Sequence, residues 1–420
     1  MRTGTRPPFR RQLVFFLMSF ICIQALAFAQ DAASGIVMPV TLTGGLMVSE
    51  RGKDADPAAK TVLPGFRTVL YPSLRLNSNW FVSSTIQVQS TPFFYYEAFY
   101  PERGLEANVQ QLFVGYSRNG EHSALGVKVG QLNTAFGSFP LRYSDSVNPL
   151  LDQPFAYAYA VKLRPDQLPC STRDLTAQQA YPIYVEHYCG GSTEERRGMT
   201  PVTLYGLPGI EINASWKRFD TRFQVTNSSP ANPQSLRSHS QHAQWTAGAG
   251  FTIRQGFRVG VSAFDGPFLE NDVLYRLNPE ATVRDYPARG MAADAQWGRG
   301  RWSASAEWQR VEFRYPRFTA PPATSAAYLE IKSILTPRIY FAMRGSFERF
   351  GRVVDTAGYA ADQFLPNRQS YEAAAGYHLN HFQTVKIGYE WLKTNGQSGS
   401  RGNVFGIQLV TRVSSLSKAF

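Results

Sequence analysis

Apolar and polar residues alternate with period two along most of the chain. Residues 250–264, GFTIRQGFRVGVSAF, place Phe251 and Ile253 before a three-residue break and Phe257 and Val259 after it. Side chains two apart on a strand share a face, so this stretch predicts two antiparallel strands, each with one apolar side. The fold class therefore depends on whether that apolar side contacts a protein core or lipid.

The same pattern recurs from residue 36 to the C-terminal region and predicts sixteen strands. We place them at 36–49, 64–77, 79–90, 108–117, 123–133, 203–216, 219–228, 242–253, 256–265, 288–298, 301–314, 325–335, 338–349, 368–379, 382–394 and 403–413. Their connections are alternately short and long, and the eight long ones are 50–63, 91–107, 134–202, 229–241, 266–287, 315–324, 350–367 and 395–402. An even strand number with this alternation is typical of a bacterial outer-membrane β-barrel, an all-β antiparallel fold whose termini both lie on the side of the short turns.

Tryptophan positions favour the same fold. Trp80, Trp216, Trp297 and Trp302 have the apolar parity and lie within about three residues of a short connection, whereas Trp245, Trp308 and Trp391 lie nearer the opposite strand ends. Aromatic girdles where the apolar band meets the lipid headgroups would produce this distribution. The alternative, a soluble sandwich with tryptophans in its core, gives no reason for clustering at strand ends.

The opposite parity is mostly polar. On residues 79–90, for example, Ser83, Thr85, Gln87 and Gln89 alternate with apolar residues. In a lipid-embedded barrel this face is the interior, and sixteen strands are wide enough to leave an aqueous channel. Pro39 and Pro72 fall inside predicted strands, where each removes a ladder hydrogen bond, so we expect bulges there.

The first 29 residues predict a secretory signal peptide. Four arginines precede the apolar run LVFFLMSFICIQALAFA, which ends in small residues, and cleavage is expected before Gln30. Cys22 belongs to this peptide. The remaining chain, 30–420, then carries 39 basic and 31 acidic residues, a formal charge of +8, and the basic residues are scattered. For an exported chain this distribution argues against a nucleic-acid partner.

Two cysteines, Cys170 and Cys189, remain after processing, and in an oxidising compartment a disulfide between them is the expected pairing. A metal site that combined them with His187 would lack a fourth ligand, and no cofactor is expected. Both cysteines lie in the third loop, 134–202, which is several times longer than most of the others. Closing about twenty residues is worth roughly 3 kcal/mol, which either shapes the loop or protects it from proteolysis.

The signal peptide, strand pattern and long third loop resemble general and specific porins. The segment VKVGQLNTAFGSFPLRY, 127–143, is similar to a strand-and-loop stretch of the phosphate-selective porin type, although Ala-Phe-Gly stands where that family often has Pro-Phe-Gly. The resemblance implies that the third loop folds inward and sets a constriction. It also implies a homotrimer in the outer membrane.

Charged residues of the inward parity are candidates to line the pore, and seven basic ones oppose seven acidic ones. They are Arg75, Lys128, Arg222, Arg258, Lys332, Arg344 and Lys386 against Glu211, Asp294, Glu307, Glu330, Glu348, Glu372 and Glu390. The third loop is also nearly balanced and has no lysine-rich run, in contrast to a phosphate-selective pore. The sequence thus leaves the choice between anions and cations open.

Two aromatic stretches, 93–100 and 154–160, lie in the second and third loops and would either stack on solutes or pack the loops against the wall.

The sequence as a whole predicts a passive diffusion channel for small hydrophilic solutes or ions. Two alternatives stay open. One is an adhesin or receptor barrel; the other is an outer-membrane hydrolase using SHSQH, residues 238–242. An energy-coupled transporter would need a plug domain, and only about six residues separate Gln30 from the first strand. The terminal Phe420 resembles a barrel assembly signal.

Overall fold

A computed structural model shows the fold of the chain. The structure describes residues 36–50, 61–91, 93, 104–159, 161, 163–177, 188–191, 199–202, 205–227, 229–231, 242–275, 280–395 and 402–414. The expected signal peptide and SHSQH up to residue 241 lie outside this part of the chain, as do residues 94–100 of the first aromatic stretch.

Sixteen strands form one closed antiparallel barrel. In chain order they are β1 (Ile36–Val37 and Val40–Ser49), β2 (Val62–Leu70 and Ser73–Arg75), β3 (Trp80–Thr91), β4 (Gly104–Asn119), β5 (Ser123–Asn133), β6 (Tyr205–Trp216), β7 (Phe219–Thr226), β8 (Gln244–Arg254), β9 (Phe257–Pro267), β10 (Pro287–Arg299), β11 (Trp302–Phe313), β12 (Ala323–Ile334), β13 (Ile339–Phe350), β14 (Arg368–His378), β15 (Gln383–Thr394) and β16 (Val404–Val413). The predicted fold class and strand order are confirmed.

Each strand pairs with the next along the chain, and β16 closes the barrel on β1. Leu46 lies opposite Ile407 at this closure. The third loop does not interrupt the wall, because Val129 of β5 lies opposite Ile210 of β6. Closure leaves no free sheet edge.

The two prolines interrupt their strands where irregularities were predicted. β1 is broken at residues 38–39 and β2 at residues 71–72. Proline has no N–H to donate, but its carbonyl still accepts: Tyr71 N donates to Pro39 O at 2.9 Å, and Ser84 N donates to Pro72 O at 2.9 Å. The wall therefore stays continuous across both breaks.

The two faces of the wall differ as the alternation predicts. Trp80, Trp216 and Trp302 are exposed on the outer face, while Gln224 and Thr246 are buried on the inner one.

In the hairpin of residues 250–264, Gly256 takes a positive φ of 78°, a conformation that residues with a side chain rarely adopt. Within the described ranges, no helix has the length and apolar character to cross a membrane.

The long loops carry short elements of their own. In the third loop these are α1 (Phe139–Arg142), α2 (Phe155–Ala158), α3 (Thr172–Ala177) and a small hairpin of Gln167–Pro169 with Tyr188–Gly191. The fifth loop contains α4 (Asn271–Tyr275) and a 3-10 turn at Val283–Asp285, and the sixth and seventh loops share the small sheet Phe318–Ala320, Val353–Asp355 and Ala360–Ala361.

A common apolar core joins these loops over one part of the barrel mouth. The third loop contributes Leu163, Leu168 and Leu175 to it. The rings of Phe268 and Tyr315, from the fifth and sixth loops, meet edge-to-face at 5.1 Å. This core packs the third loop against its neighbouring loops.

Candidate functional site

The third loop turns inward where β5 ends. Gln224 Nε2, on the inner face of β7, donates to Asn133 O at 2.7 Å, and Gln224 Oε1 accepts from Ala135 N at 3.3 Å. Further along, Gly137 N donates to Ser262 Oγ on β9 at 2.9 Å. The loop thus begins by following the inner wall.

Glu307 of β11 is the first strong anchor of the loop. Its Oε2 accepts from Ser138 N at 2.9 Å, Ser138 Oγ at 2.8 Å and Phe139 N at 3.1 Å. Its Oε1 accepts from the Tyr157 hydroxyl. One buried carboxylate therefore holds two separate segments of the third loop.

A second anchor lies across the lumen, on β1, β2 and β15. Asp145 accepts from Arg67 Nε at 2.9 Å and from Thr43 Oγ1 at 2.8 Å. The Lys386 ammonium donates to three loop carbonyls, Asp145 O and Asn148 O at 2.7 Å and Leu150 O at 3.3 Å. Three N–H donors and three acceptors satisfy a buried cation completely.

Between these anchors a charged network connects the loop to β12, β13 and β14. Arg344 binds Glu330 and Glu372 and also donates to Asp152 O at 2.8 Å. Glu372 Oε1 in turn accepts from Leu151 N at 2.9 Å. Residues 137–152 therefore contact the inner wall from β9 round to β2.

Burial has opposite outcomes for the two aspartates of this segment. At Asp145 burial raises the pKa, but Arg67, Lys386 and the Thr43 hydroxyl together outweigh it, so the pKa is lowered. At Asp152 burial dominates and raises the pKa well above the usual value, with Glu372 adding to the rise. Asp152 Oδ2 accepts no hydrogen bond from any residue that the structure describes. The two carboxyl groups thus favour opposite protonation states.

We expect the stability of the Asp152→Asn variant to depend less on pH than the stability of the wild type does. A folded-state pKa above the unfolded value of about 3.9 stabilises the fold fully below about that pH, and this contribution is lost as the pH rises through the folded pKa. As the pH rises above about 3.9, the thermal unfolding midpoint of the wild type should fall relative to that of Asp152→Asn. The Asp145 contribution is lost only as the pH falls below about 3.9. Asp174→Asn, in α3, is the control and should follow the wild type.

The second aromatic stretch packs against the wall. Phe155 and Tyr159 meet edge-to-face at 5.1 Å and bury themselves against Met47 and Val404 of the closing strands. Tyr157 stacks on Phe139 at 5.2 Å. Of the two roles considered for these rings, the structure supports packing for 155–159.

Inward-facing charges on β5, β6, β7, β9 and β10 form a second group, which we name the β5–β10 wall: Lys128, Glu211, Asp220, Arg222, Arg258 and Asp294. Lys128 binds Glu211 at 2.8 Å, and its side chain is 34% exposed. Arg258 binds Asp220 and Asp294 and is 22% exposed, against 3% for Arg344. Lys128 and Arg258 of the β5–β10 wall therefore keep contact with solvent that Arg344 has lost.

The structure divides the predicted pore-lining residues into three sets. Glu307, Glu330, Arg344, Glu372 and Lys386 are buried in contact with the third loop or with each other, and Glu348 and Glu390 are also buried. Lys128, Glu211, Arg222, Arg258 and Asp294 belong to the β5–β10 wall, where Glu211 is buried. Arg75 is exposed beside a short turn, and the Lys332 ammonium lies 4.4 Å from the ring centre of Tyr340.

Sequence reasoning missed the partners that the third loop itself supplies. Ser138, Asp145 and Tyr157 make the decisive contacts, but their loop positions carry no periodicity. Arg67 was missed because its predicted strand contained Pro72, which obscured the parity. Its alternation with Val69 on the buried face was the available signal.

The cysteine segments lie alongside one another. In the small hairpin Leu168 pairs with Gly190 and Pro169 with Tyr188, so the residue before Cys170 lies opposite the residue before Cys189. This pairing is compatible with the predicted disulfide, which stays a prediction.

Solved outer-membrane proteins share this fold. A Salmonella typhi OmpF complex with daunomycin aligns with a TM-score of 0.52 at 11% identity, covering 92% of this chain and 99% of that chain. A loop-deletion mutant of OmpT, described as an outer membrane protein of Vibrio cholerae, aligns with a TM-score of 0.50 at 9% identity, covering 91% and 100%.

A triple mutant of the Rh. blastica porin also aligns, with a TM-score of 0.46 at 10% identity, over 90% of this chain and 100% of that chain. No protein-family model matches the chain, and none of the curated proteins is similar to it. The first two alignments, together with the closed barrel, place the chain in the fold class of bacterial outer-membrane barrels.

Proposed function

We propose that the protein is a passive diffusion channel of the bacterial outer membrane for small hydrophilic solutes or ions. The observation that carries this proposal is the unequal burial of the inner wall. The third loop contacts the buried charges of Arg67, Glu307, Arg344, Glu372 and Lys386, whereas Lys128, Asp220 and Arg258 of the β5–β10 wall remain partly exposed. A polar wall that stays hydrated beside a packed loop is what an off-centre aqueous path requires.

The third loop is the constriction in this proposal. Contacts to Gln224, Glu307 and Lys386 hold it across the lumen, so its position is fixed from three directions. Solutes would be sieved by size between the loop and the β5–β10 wall and by charge along that wall. No bond is made or broken in the process, and the resemblance to porins supports a homotrimer as the working unit.

Purified protein reconstituted in a planar bilayer tests the proposal. We expect stepwise increases of conductance as single channels insert, because a hydrated lumen conducts ions without gating chemistry. Swelling of proteoliposomes in small sugars should accompany it. An inserted, heat-resistant barrel that gives no conductance in several lipids would contradict the channel and favour an adhesin or receptor.

A further inference from the structure

Three of the inward-facing basic residues pair directly with carboxylates. On the β5–β10 wall Lys128 has Glu211, and Arg258 has both Asp220 and Asp294. Under the loop, Arg344 has Glu330 and Glu372. Charges paired in this way attract a passing ion only weakly.

Arg222 differs from them. It has the inward parity on β7, opposite Asn213 of β6 and Gly248 of β8. Its guanidinium makes no hydrogen bond or ion pair with any described residue. Nη1 is shielded from solvent, whereas Nε and Nη2, the pair of donors that binds an oxyanion side-on, are not shielded.

Arg222 also lies at the height of the third loop. Gln224, the next inward residue on β7, binds both Asn133 and Ala135 where the loop leaves the wall. A Cβ placed on Gly248, opposite Arg222, would lie 3.6 Å from Ala135 O. Arg222 is therefore beside the narrowing that the proposed function assigns to the loop.

The neighbouring carboxylates are already engaged. Glu211, Asp220, Asp294 and Arg258 interact electrostatically with Arg222. However, Arg258 lies flat over two glycines to reach both aspartates: a Cβ on Gly250 or Gly260 would collide with it or with its partners. In the described part of the third loop, Asp145, Asp152 and Asp166 are buried, and Asp174 accepts a hydrogen bond from Ser171 Oγ at 2.8 Å. None of these four carboxylates pairs with Arg222.

We infer that Arg222 is a transit site for small oxyanions, carboxylates or phosphates, and that it gives the channel a preference for anions. The inference rests on the proposed function and deepens it. A guanidinium binds two oxygens of one anion in parallel. A passing oxyanion supplies the partner that the folded chain withholds, whereas Glu211, Asp220 and Asp294 already pair with Lys128 or Arg258 and offer less to a cation.

The reversal potential in a KCl gradient across a planar bilayer tests this inference. For Arg222→Gln we expect the ratio of chloride to potassium permeability to fall by roughly sixteenfold, because removing one unit charge about 5 Å from the ion path in water changes the chloride and the potassium occupancy by about fourfold each, in opposite directions. Arg75→Gln is the matched control: it removes the same charge beside a short turn, and its ratio should stay near the wild-type value. Equal ratios in the two variants would overturn the inference.

Inorganic phosphate tests the chemical class. Added to KCl, it should reduce the chloride current of the wild type by occupying the site, and it should reduce the current of Arg222→Gln much less. Arg222→Lys keeps the charge but not the planar pair of donors, so it should retain the chloride preference and lose most of the phosphate block. A wild type that phosphate does not block overturns the oxyanion assignment. A protein that inserts without conducting refutes the channel itself, which is a separate result.

Discussion

Replacing Glu307 with alanine is expected to free the start of the third loop and to turn a steady channel current into a fluctuating one. The carboxylate accepts four hydrogen bonds from Ser138, Phe139 and Tyr157. Each buried donor left without an acceptor costs about 1–3 kcal/mol, and movement of the loop into water recovers part of this. We therefore expect a loss of roughly 3 kcal/mol in the free energy of unfolding, together with several conductance levels where the wild type has one.

Glu312→Ala is the control for this experiment. Glu312 lies on the same strand as Glu307 and forms an exposed ion pair with Arg314 at 3.1 Å. Exposed pairs contribute about 0–1 kcal/mol, so this variant should keep the wild-type current and nearly the wild-type stability. If Glu307→Ala behaves like Glu312→Ala in both measurements, Glu307 does not anchor the loop.

Lys386→Met is expected to free residues 145–150 of the loop and to lower the free energy of unfolding about as much as Glu307→Ala does. Methionine preserves the length of the side chain but removes the donors to Asp145 O, Asn148 O and Leu150 O. A buried acceptor left without its donor costs about 1–3 kcal/mol, and three carbonyls lose theirs here. The thermal unfolding midpoint should fall, and the open-channel noise should rise.

Lys393→Met provides the comparison on the same strand, β15, because Lys393 is exposed. It should change neither stability nor noise. A Lys386→Met protein with the noise of the Lys393→Met protein would show that residues 145–150 are held by other contacts, chiefly by Arg67 and Thr43 on Asp145.

The barrel could be predicted from sequence because its wall is built from a local signal. Period-two alternation marks a strand and its two faces without reference to any other segment. The largest difference in strand bounds is at β4, predicted at 108–117 and observed at Gly104–Asn119. The register there shifts between Thr85 and Ile86, so one strand contains an extra residue that disturbs the alternation.

The arrangement inside the barrel could not be predicted in the same way. Parity places Arg344 and Arg258 equally on the inner face, yet one is buried under the third loop and the other keeps contact with solvent. That difference depends on contacts such as Ser138 with Glu307, which are 169 residues apart. No spacing along the chain encodes which inward side chains a loop will cover.

The most direct test of the account is the reactivity of two introduced cysteines towards a charged thiol reagent while the channel conducts. Asn213 faces the lumen from the β5–β10 wall and is half-buried, whereas Ser346 faces inward from β13 and is buried. We expect the reagent to react with Asn213→Cys and reduce its current, and to leave Ser346→Cys unmodified and its current unchanged. Rapid block of Ser346→Cys with an unreactive Asn213→Cys would contradict an aqueous path along the β5–β10 wall.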